Sequence, residues 1–441
     1  MSVLAWTLAL ACLAAQDPSP APAVSEALEC DSALAQLVDA PTREARRSIA
    51  ASLARGKHHD VEVWAAAMAR LGSFETAKTG VHAEKVELQV QGKREETELW
   101  IYVPAKYDPA KPAPLMLAFH GTGGSGQGMH HRWQMTAEEL GMLVLSPSEA
   151  GDNSGYHFND RERAAALAAL RWMRRHYNVD ENRVVASGIS RGGHLSWDLA
   201  LRYPDLFSAA VPLIGSPRIT LVAGQNNMRL LENVAQLSIR DLQGAKDDPG
   251  LVYSVRLAFE LLGRFAPRDA KKIEFPELGH DFEMSAVDWP QFLSSALRDP
   301  WPERVVRCTA TKDEGRAAWL EILSVSKDVQ EVFPLEIPQG ERLRMSDNEV
   351  RQRAVVEAVK HNARAVARRT SAGVFSLELD GATKVRLYLR GEDLASNGKL
   401  KISLDGKLLE RSARPDSKAM LEEFAERFDR TAIIRSQVEV P

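Results

Sequence analysis

Val184-Val185-Ala186-Ser187-Gly188-Ile189-Ser190-Arg191-Gly192-Gly193-His194 decides the fold. It is a short apolar run that passes through small residues into Leu195-Ser196-Trp197-Asp198-Leu199-Ala200-Leu201-Arg202-Tyr203, an amphipathic helix stopped by Pro204. In a G-x-S-x-G pattern of this kind the serine sits at the apex of a sharp strand-to-helix turn, where small neighbours let the backbone fold back. The helix start behind Ser190 aims its amides outward, so the Arg191 amide is a candidate donor to an oxyanion forming on an acyl group attached to the hydroxyl.

Outward from the turn, short apolar runs alternate with helical patterns. Residues 115–119 (Leu-Met-Leu-Ala-Phe) are wholly apolar and fit a central strand covered on both faces. They end in His120-Gly121-Thr122-Gly123-Gly124-Ser125-Gly126, whose glycines free Gly121 or Thr122 to supply a second oxyanion donor. The same loop has G-x-G-x-x-G spacing, but a dinucleotide fold wants an acidic residue at the end of the next strand, and there Ser146-Pro147-Ser148 stand instead. Residues 152–160 form a loop before a helix over 161–177, which makes Tyr156 and His157 candidate substrate-wall residues. The alternation predicts an α/β domain with a mostly parallel sheet and helices on both faces.

A serine hydroxyl needs an imidazole to take its proton and a carboxylate to hold that ring. His280 follows the strand-like Ile273-Glu274-Phe275 in a polar loop, and no other histidine lies between His194 and His361. The acid belongs after an intervening strand, where Asp247 is the first choice, Asp248 its rival and Asp241 the next candidate. With these residues in view, 97–298 resemble the α/β-hydrolase superfamily, in particular exported esterases related to polyhydroxybutyrate depolymerases, feruloyl and acetylxylan esterases, and prolyl-oligopeptidase-like domains. The resemblance implies an oxyanion loop at His120-Gly121, nucleophile Ser190, acid Asp247 and base His280, and no cofactor or metal. Arg191 departs from the small or hydrophobic residue common at that position, which points to a role in substrate choice. The function expected is hydrolysis of small or polymeric carboxylic esters; a prolyl-oligopeptidase-like peptidase and a non-catalytic carbohydrate- or surface-binding protein are the alternatives.

The 441-residue chain carries a net charge of -4. That charge offers no electrostatic reason for a nucleic-acid partner. Met1 to Ala15 read as a secretory signal peptide without a basic start, too short to span a bilayer, so a secreted or periplasmic protein without stable membrane insertion is expected. Residues 16–30 read as a Pro/Ala linker and 31–80 as a helical segment; the pair His58-His59 fits a solvated turn better than a metal site. Cys30 and Cys308 either pair or stay as buried thiols. Residues 82–300 are the expected catalytic domain, so a chain cut near residue 300 should still act on small esters. Residues 301–441 read as a β-sandwich-like module in which Ser346-Asp347-Asn348-Glu349 opens an inserted helix to about 369, its Arg351, Arg353, Lys360, Arg364, Arg368 and Arg369 forming a solvated face.

Overall fold

In the computed structural model the described residues are 22–56, 60–72, 74–148, 154–219 and 225–441. The expected signal peptide and the His58-His59 pair lie outside them. Three helices come first: α1 (Pro22–Asp39), α2 (Arg43–Ala54) and α3 (Val61–Arg70). A helix therefore begins within the expected 16–30 linker. The stripe of Val61, Trp64, Ala65 and Met68 on α3 is buried, as its spacing requires.

The central domain is built on an eight-stranded sheet in the order β1-β2-β4-β3-β5-β6-β7-β8. Its strands are β1 (Gly80–Val90), β2 (Lys93–Val103), β3 (Ala113–Phe119), β4 (Leu143–Pro147), β5 (Val179–Ile189), β6 (Ala209–Leu213), β7 (Ser238–Gly244) and β8 (Asp269–Phe275). The hairpin β1-β2 joins antiparallel at one edge, and from β4 to β8 every pairing is parallel. Helices α4 (Gln134–Leu140), α5 (Asp160–His176), α6 (Arg191–Arg202) and α7 (Pro249–Leu262) lie in the connections between strands, and α8 (Trp289–Ser295) follows β8. Two buried clusters cover the two faces of the sheet, one around Leu115, Leu117, Val184 and Ala186, the other around Met116, Ala118 and Val185. Alternate residues of β3 and β5 thus enter opposite cores, which is why those runs are apolar throughout.

The C-terminal module follows as β9 (Arg304–Thr309), β10 (Arg316–Ala317), β11 (Leu320–Val325), α9 (Gln339–Arg342), α10 (Asp347–Val359), β12 (Ala363–Ser371), β13 (Val374–Asp380), β14 (Ala382–Leu389), β15 (Lys399–Leu404), β16 (Lys407–Ser412), α11 (Ser417–Arg427) and β17 (Ser436–Val440). It forms two sheets, β10-β11-β14-β17 and β16-β15-β13-β12-β9, with a shared apolar core between them. Asp405-Gly406 joins β15 to β16 with both residues at positive φ, 46° and 82°, the geometry a two-residue hairpin demands. The inserted helix carries the expected capping box but ends at Val359, and residues 363–371 are a strand. There Ala363, Ala365 and Ala367 alternate into the core, so tertiary burial overrides the helical preference of the Ala/Arg composition. Arg369 is consequently part of the packing, 2.7 Å from Asp393 and over the Trp319 ring, rather than on a solvated helix face.

Two contacts redraw the expected boundaries. Helices α1 to α3 share the core of the C-terminal module, with Leu34, Trp64 and Met68 beside Met420 and Phe424 of α11. Strand β9 serves two cores at once: Val305 faces the module, whereas Cys308, with partly buried Val306, faces the central domain. Cys30 and Cys308 are both free and buried. Burial, aided by the nearby Glu232 carboxylate, pushes the Cys308 thiol up to about 12.

Candidate functional site

The carboxyl ends of β3, β5, β7 and β8 converge, which is where ligands bind in open parallel sheets. Ser190 follows β5 directly and has φ 55° and ψ -111°, a conformation sparsely populated by any residue with a Cβ. The turn is possible because its flanking glycines pack backbone on backbone. A Cβ on Gly188 would run into the Gly192 carbonyl, and one on Gly192 into the Phe119 carbonyl. The Ser190 amide donates to Leu213 O at 2.8 Å, which pins the strained turn to β6.

His280, in the loop after β8, reaches Ser190 through Nε2, 2.8 Å from Oγ, and Asp247 through Nδ1, 2.8 Å from Oδ2. An ionised carboxylate only accepts, so Nδ1 carries the proton, Nε2 is left to accept, and the serine hydroxyl donates to it. The imidazole is open to solvent, its side chain 48% exposed, whereas that of Asp247 is 7% exposed. Asp247 is held by two further donors, Gln243 Nε2 at 2.9 Å to Oδ2 and the Asp248 amide at 2.7 Å to Oδ1. Asp248 does different work: it is the N-cap of α7, accepting from the amides of Gly250 and Leu251. Asp241 is also remote from the imidazole. It is fully buried in β7, accepts from Trp197 Nε1 at 2.9 Å, and burial raises its carboxyl to about 8.

The residues expected to bind substrate fall into different places. Gly121 lies against the nucleophile, where an added Cβ would stand 3.7 Å from that of Ser190, while Thr122 is exposed. Tyr156 is not a wall residue. Its ring is buried and its hydroxyl donates to Asp198 Oδ2 at 2.8 Å. His157 is exposed, and its amide donates to Glu162. The Arg191 side chain turns inward as well, with Nη2 2.9 Å from Glu162 Oε1 and Nε 2.8 Å from Gly155 O, so it braces the 154–158 loop and does not face substrate. Its backbone alone remains a candidate for the oxyanion.

Sequence reasoning missed the hub beneath this loop. Asp198, fully buried on α6, accepts from Tyr156 Oη, Arg163 Nη1, Arg202 Nε and Asn227 Nδ2 at 2.7–2.9 Å. Its burial alone would favour the neutral acid, but Arg202 and Arg163 outweigh that and hold it below the usual carboxylate range. Arg202 and Arg163 in turn meet Glu314, which belongs to the C-terminal module. An Asp on the buried face of an amphipathic helix with Arg four residues later was the available signal.

Residues 93–248 match the Esterase ("Putative esterase") family model. The central domain has the α/β-hydrolase fold, and over these residues it is similar to the esterases. Feruloyl esterase B of Neurospora crassa is 27% identical over 33% of this chain and 53% of its own. Poly(3-hydroxyalkanoate) depolymerase C of Paucimonas lemoignei is 28% identical over 24% of this chain and 28% of its own, and acetylxylan esterase A of Aspergillus oryzae 24% identical over 27% and 42%. The chain thus spans about half or less of these curated relatives. The matched family region of the α/β-hydrolase includes Ser190 and Asp247 and ends before His280.

Proposed function

We propose that this protein hydrolyses carboxylic esters through an acyl-enzyme on Ser190, with His280 as general base and acid and Asp247 as the group that orients it. The observation that carries this reading is the unbroken hydrogen-bonded line Ser190 Oγ to His280 Nε2 and His280 Nδ1 to Asp247 Oδ2, set at a strained strand-to-helix turn. In the first half of the reaction the Ser190 oxygen attacks the ester carbonyl as its proton passes to His280 Nε2. The imidazolium so formed is stabilised by Asp247, then returns the proton to the departing alcohol. Water, deprotonated by the same imidazole, attacks the acyl-enzyme and releases the acid. The tetrahedral intermediates need two amide donors, for which Arg191 at the start of α6 and Gly121 beside Ser190 are the candidates. No cofactor enters this scheme.

The esterase match and the names of the relatives favour an ester over the peptide substrate of the alternative reading. The exposed imidazole suits an ester presented on a large or polymeric molecule as well as a small one. The apolar N-terminal stretch supports export; among the described residues no helix is long and apolar enough to cross a membrane. A panel of 4-nitrophenyl acetate, methyl ferulate, acetylated xylan and a prolyl anilide tests the reading. Turnover of the esters is expected, and turnover of the anilide alone would replace it with the peptidase.

A further inference from the structure

The imidazole of His280 owes its place to one carboxylate. Among the described residues its ring nitrogens bond only to Ser190 Oγ and Asp247 Oδ2, and about half of its side chain is open to solvent. Whatever fixes the Asp247 carboxylate therefore fixes the base. The Asp247 backbone is set by the sheet. The pairing of β7 with β8 continues beyond both strands, where the Lys246 amide donates to Leu278 O at 2.8 Å, and Gly244 lies so close to the Gly279 carbonyl that a Cβ would overlap it. The side chain still has to be turned about its own bonds. Two donors do that, one on each oxygen: the Asp248 amide, 2.7 Å from Oδ1, and Gln243 Nε2, 2.9 Å from Oδ2.

Gln243 is the penultimate residue of β7 and is fully buried. Its amide can stand only one way round. Both partners of Nε2, Asp247 Oδ2 and Gly244 O at 3.1 Å, are acceptors, so the nitrogen faces them and the oxygen points elsewhere. That oxygen, Oε1, is buried and has no donor among the described residues. An interior acceptor without a donor destabilises a fold, and an apolar side chain of the same length would avoid it. The amide is retained against that penalty, and of the groups it bonds, Asp247 is the one the reaction uses. On Oδ2 it meets the Nδ1 proton of His280: a carboxylate oxygen has two lone pairs, and the imidazole and Gln243 take one each. Without the Gln243 donor the carboxylate is free to pivot about its Asp248 contact and draw the ring off its line to Ser190.

We propose that Gln243 is a positioning residue of the catalytic line, holding Asp247 Oδ2 where the His280 imidazole needs it. The inference rests on the ester-hydrolase reading and adds a residue to its machinery. The test uses the full chain and 4-nitrophenyl acetate, with Gln243→Met and Gln243→Asn made singly and in combination with Asp247→Asn. Methionine matches the length and cannot donate; asparagine keeps the amide but falls one methylene short of Asp247. Each single variant should lose kcat by about 10- to 100-fold, the loss that misplacing a catalytic group by up to about 1 Å brings, with KM within about twofold of wild type. Gln243→Met should melt at or above the wild-type temperature, since it removes the orphaned carbonyl. Added to Asp247→Asn, either change should lower kcat less than about twofold further, because the carboxylate it positions is already gone. The asparagine variant carries the test if the methionine variant does not fold. A folded single variant with kcat within about twofold of wild type, or a loss that multiplies in full with that of Asp247→Asn, overturns the inference and leaves the ester hydrolase standing. A folded wild-type chain that turns over no ester overturns both.

Discussion

Removing residues 301–441 should destroy the fold of the central domain rather than trim an accessory module. Every group in the proposed catalytic line precedes Trp301, so from sequence the cut looks harmless. The structure places four ion pairs across it, Arg202 with Glu314, Asp205 with Arg427, Arg298 with Asp429 and Glu181 with Arg430, all with low exposure. Breaking one partner of a buried pair costs about 3–5 kcal/mol when the survivor stays buried. Here water replaces the module, so about 1–2 kcal/mol each is the better figure, about 4–8 kcal/mol for the four. The cut also removes Cys308 and Val355 from the central core and strips α1 to α3 of the core they share with α11. Losses of that size match the whole stability of a domain, about 5–15 kcal/mol. The assay is urea unfolding of residues 22–300 and of the full chain, followed by tryptophan fluorescence, with turnover of 4-nitrophenyl acetate alongside. We expect an insoluble or non-cooperative, inactive fragment. A fragment with a cooperative transition near that of the full chain would refute the reasoning and restore an autonomous catalytic domain.

Three further outcomes follow from single residues. Asp247→Asn should lower kcat on a neutral ester by on the order of 10⁴, the size of the corresponding change in serine proteases, while Asp248→Asn, whose amide oxygen can still cap α7, should leave both kcat and stability near wild type; steady-state kinetics and thermal melts check both. Gly192→Ala forces a methyl group into the Phe119 carbonyl and should destabilise the protein by about 3 kcal/mol in denaturant titration, with an unchanged transition midpoint as the contrary result. Asp241, raised to about 8, stays protonated in the folded chain where the unfolded chain has released its proton, from about pH 4 upward. Stability should therefore fall as pH rises from about 4 to 8, and this slope should be missing in Asp241→Asn; melting curves that stay parallel across that range would contradict it.

What the sequence made legible follows from periodicity and turn chemistry. The parallel sheet was readable because β3 and β5 are apolar on both faces, and the elbow because Gly188 and Gly192 stand where backbones touch. Ser190, Asp247 and His280, which the structure joins in one hydrogen-bonded line, were picked out in sequence, but the preference for Asp247 over Asp248 rested on spacing after Gly244 alone, since only the fold shows which carboxylate caps α7. Tyr156 and Arg191 were misplaced because a loop position beside a site does not say whether a side chain turns outward. Asp198 and Glu162, the buried acids that draw them inward, come from α6 and α5, and only the packed fold brings them under the loop. Residues 363–369 looked helical for a related reason: Ala and Arg favour helices, and only a neighbouring strand on each side makes the alternation of small residues decisive.

The central claim is that Ser190 is a nucleophile activated by His280. It is tested most directly by treating the full chain with a fluorophosphonate and mapping the adduct by mass spectrometry, in wild type and in Ser190→Ala. Stoichiometric labelling on Ser190, absent from the variant and suppressed in His280→Ala, is the predicted result. Labelling that persists in Ser190→Ala, or a folded wild-type protein that takes no label while hydrolysing esters, would contradict it.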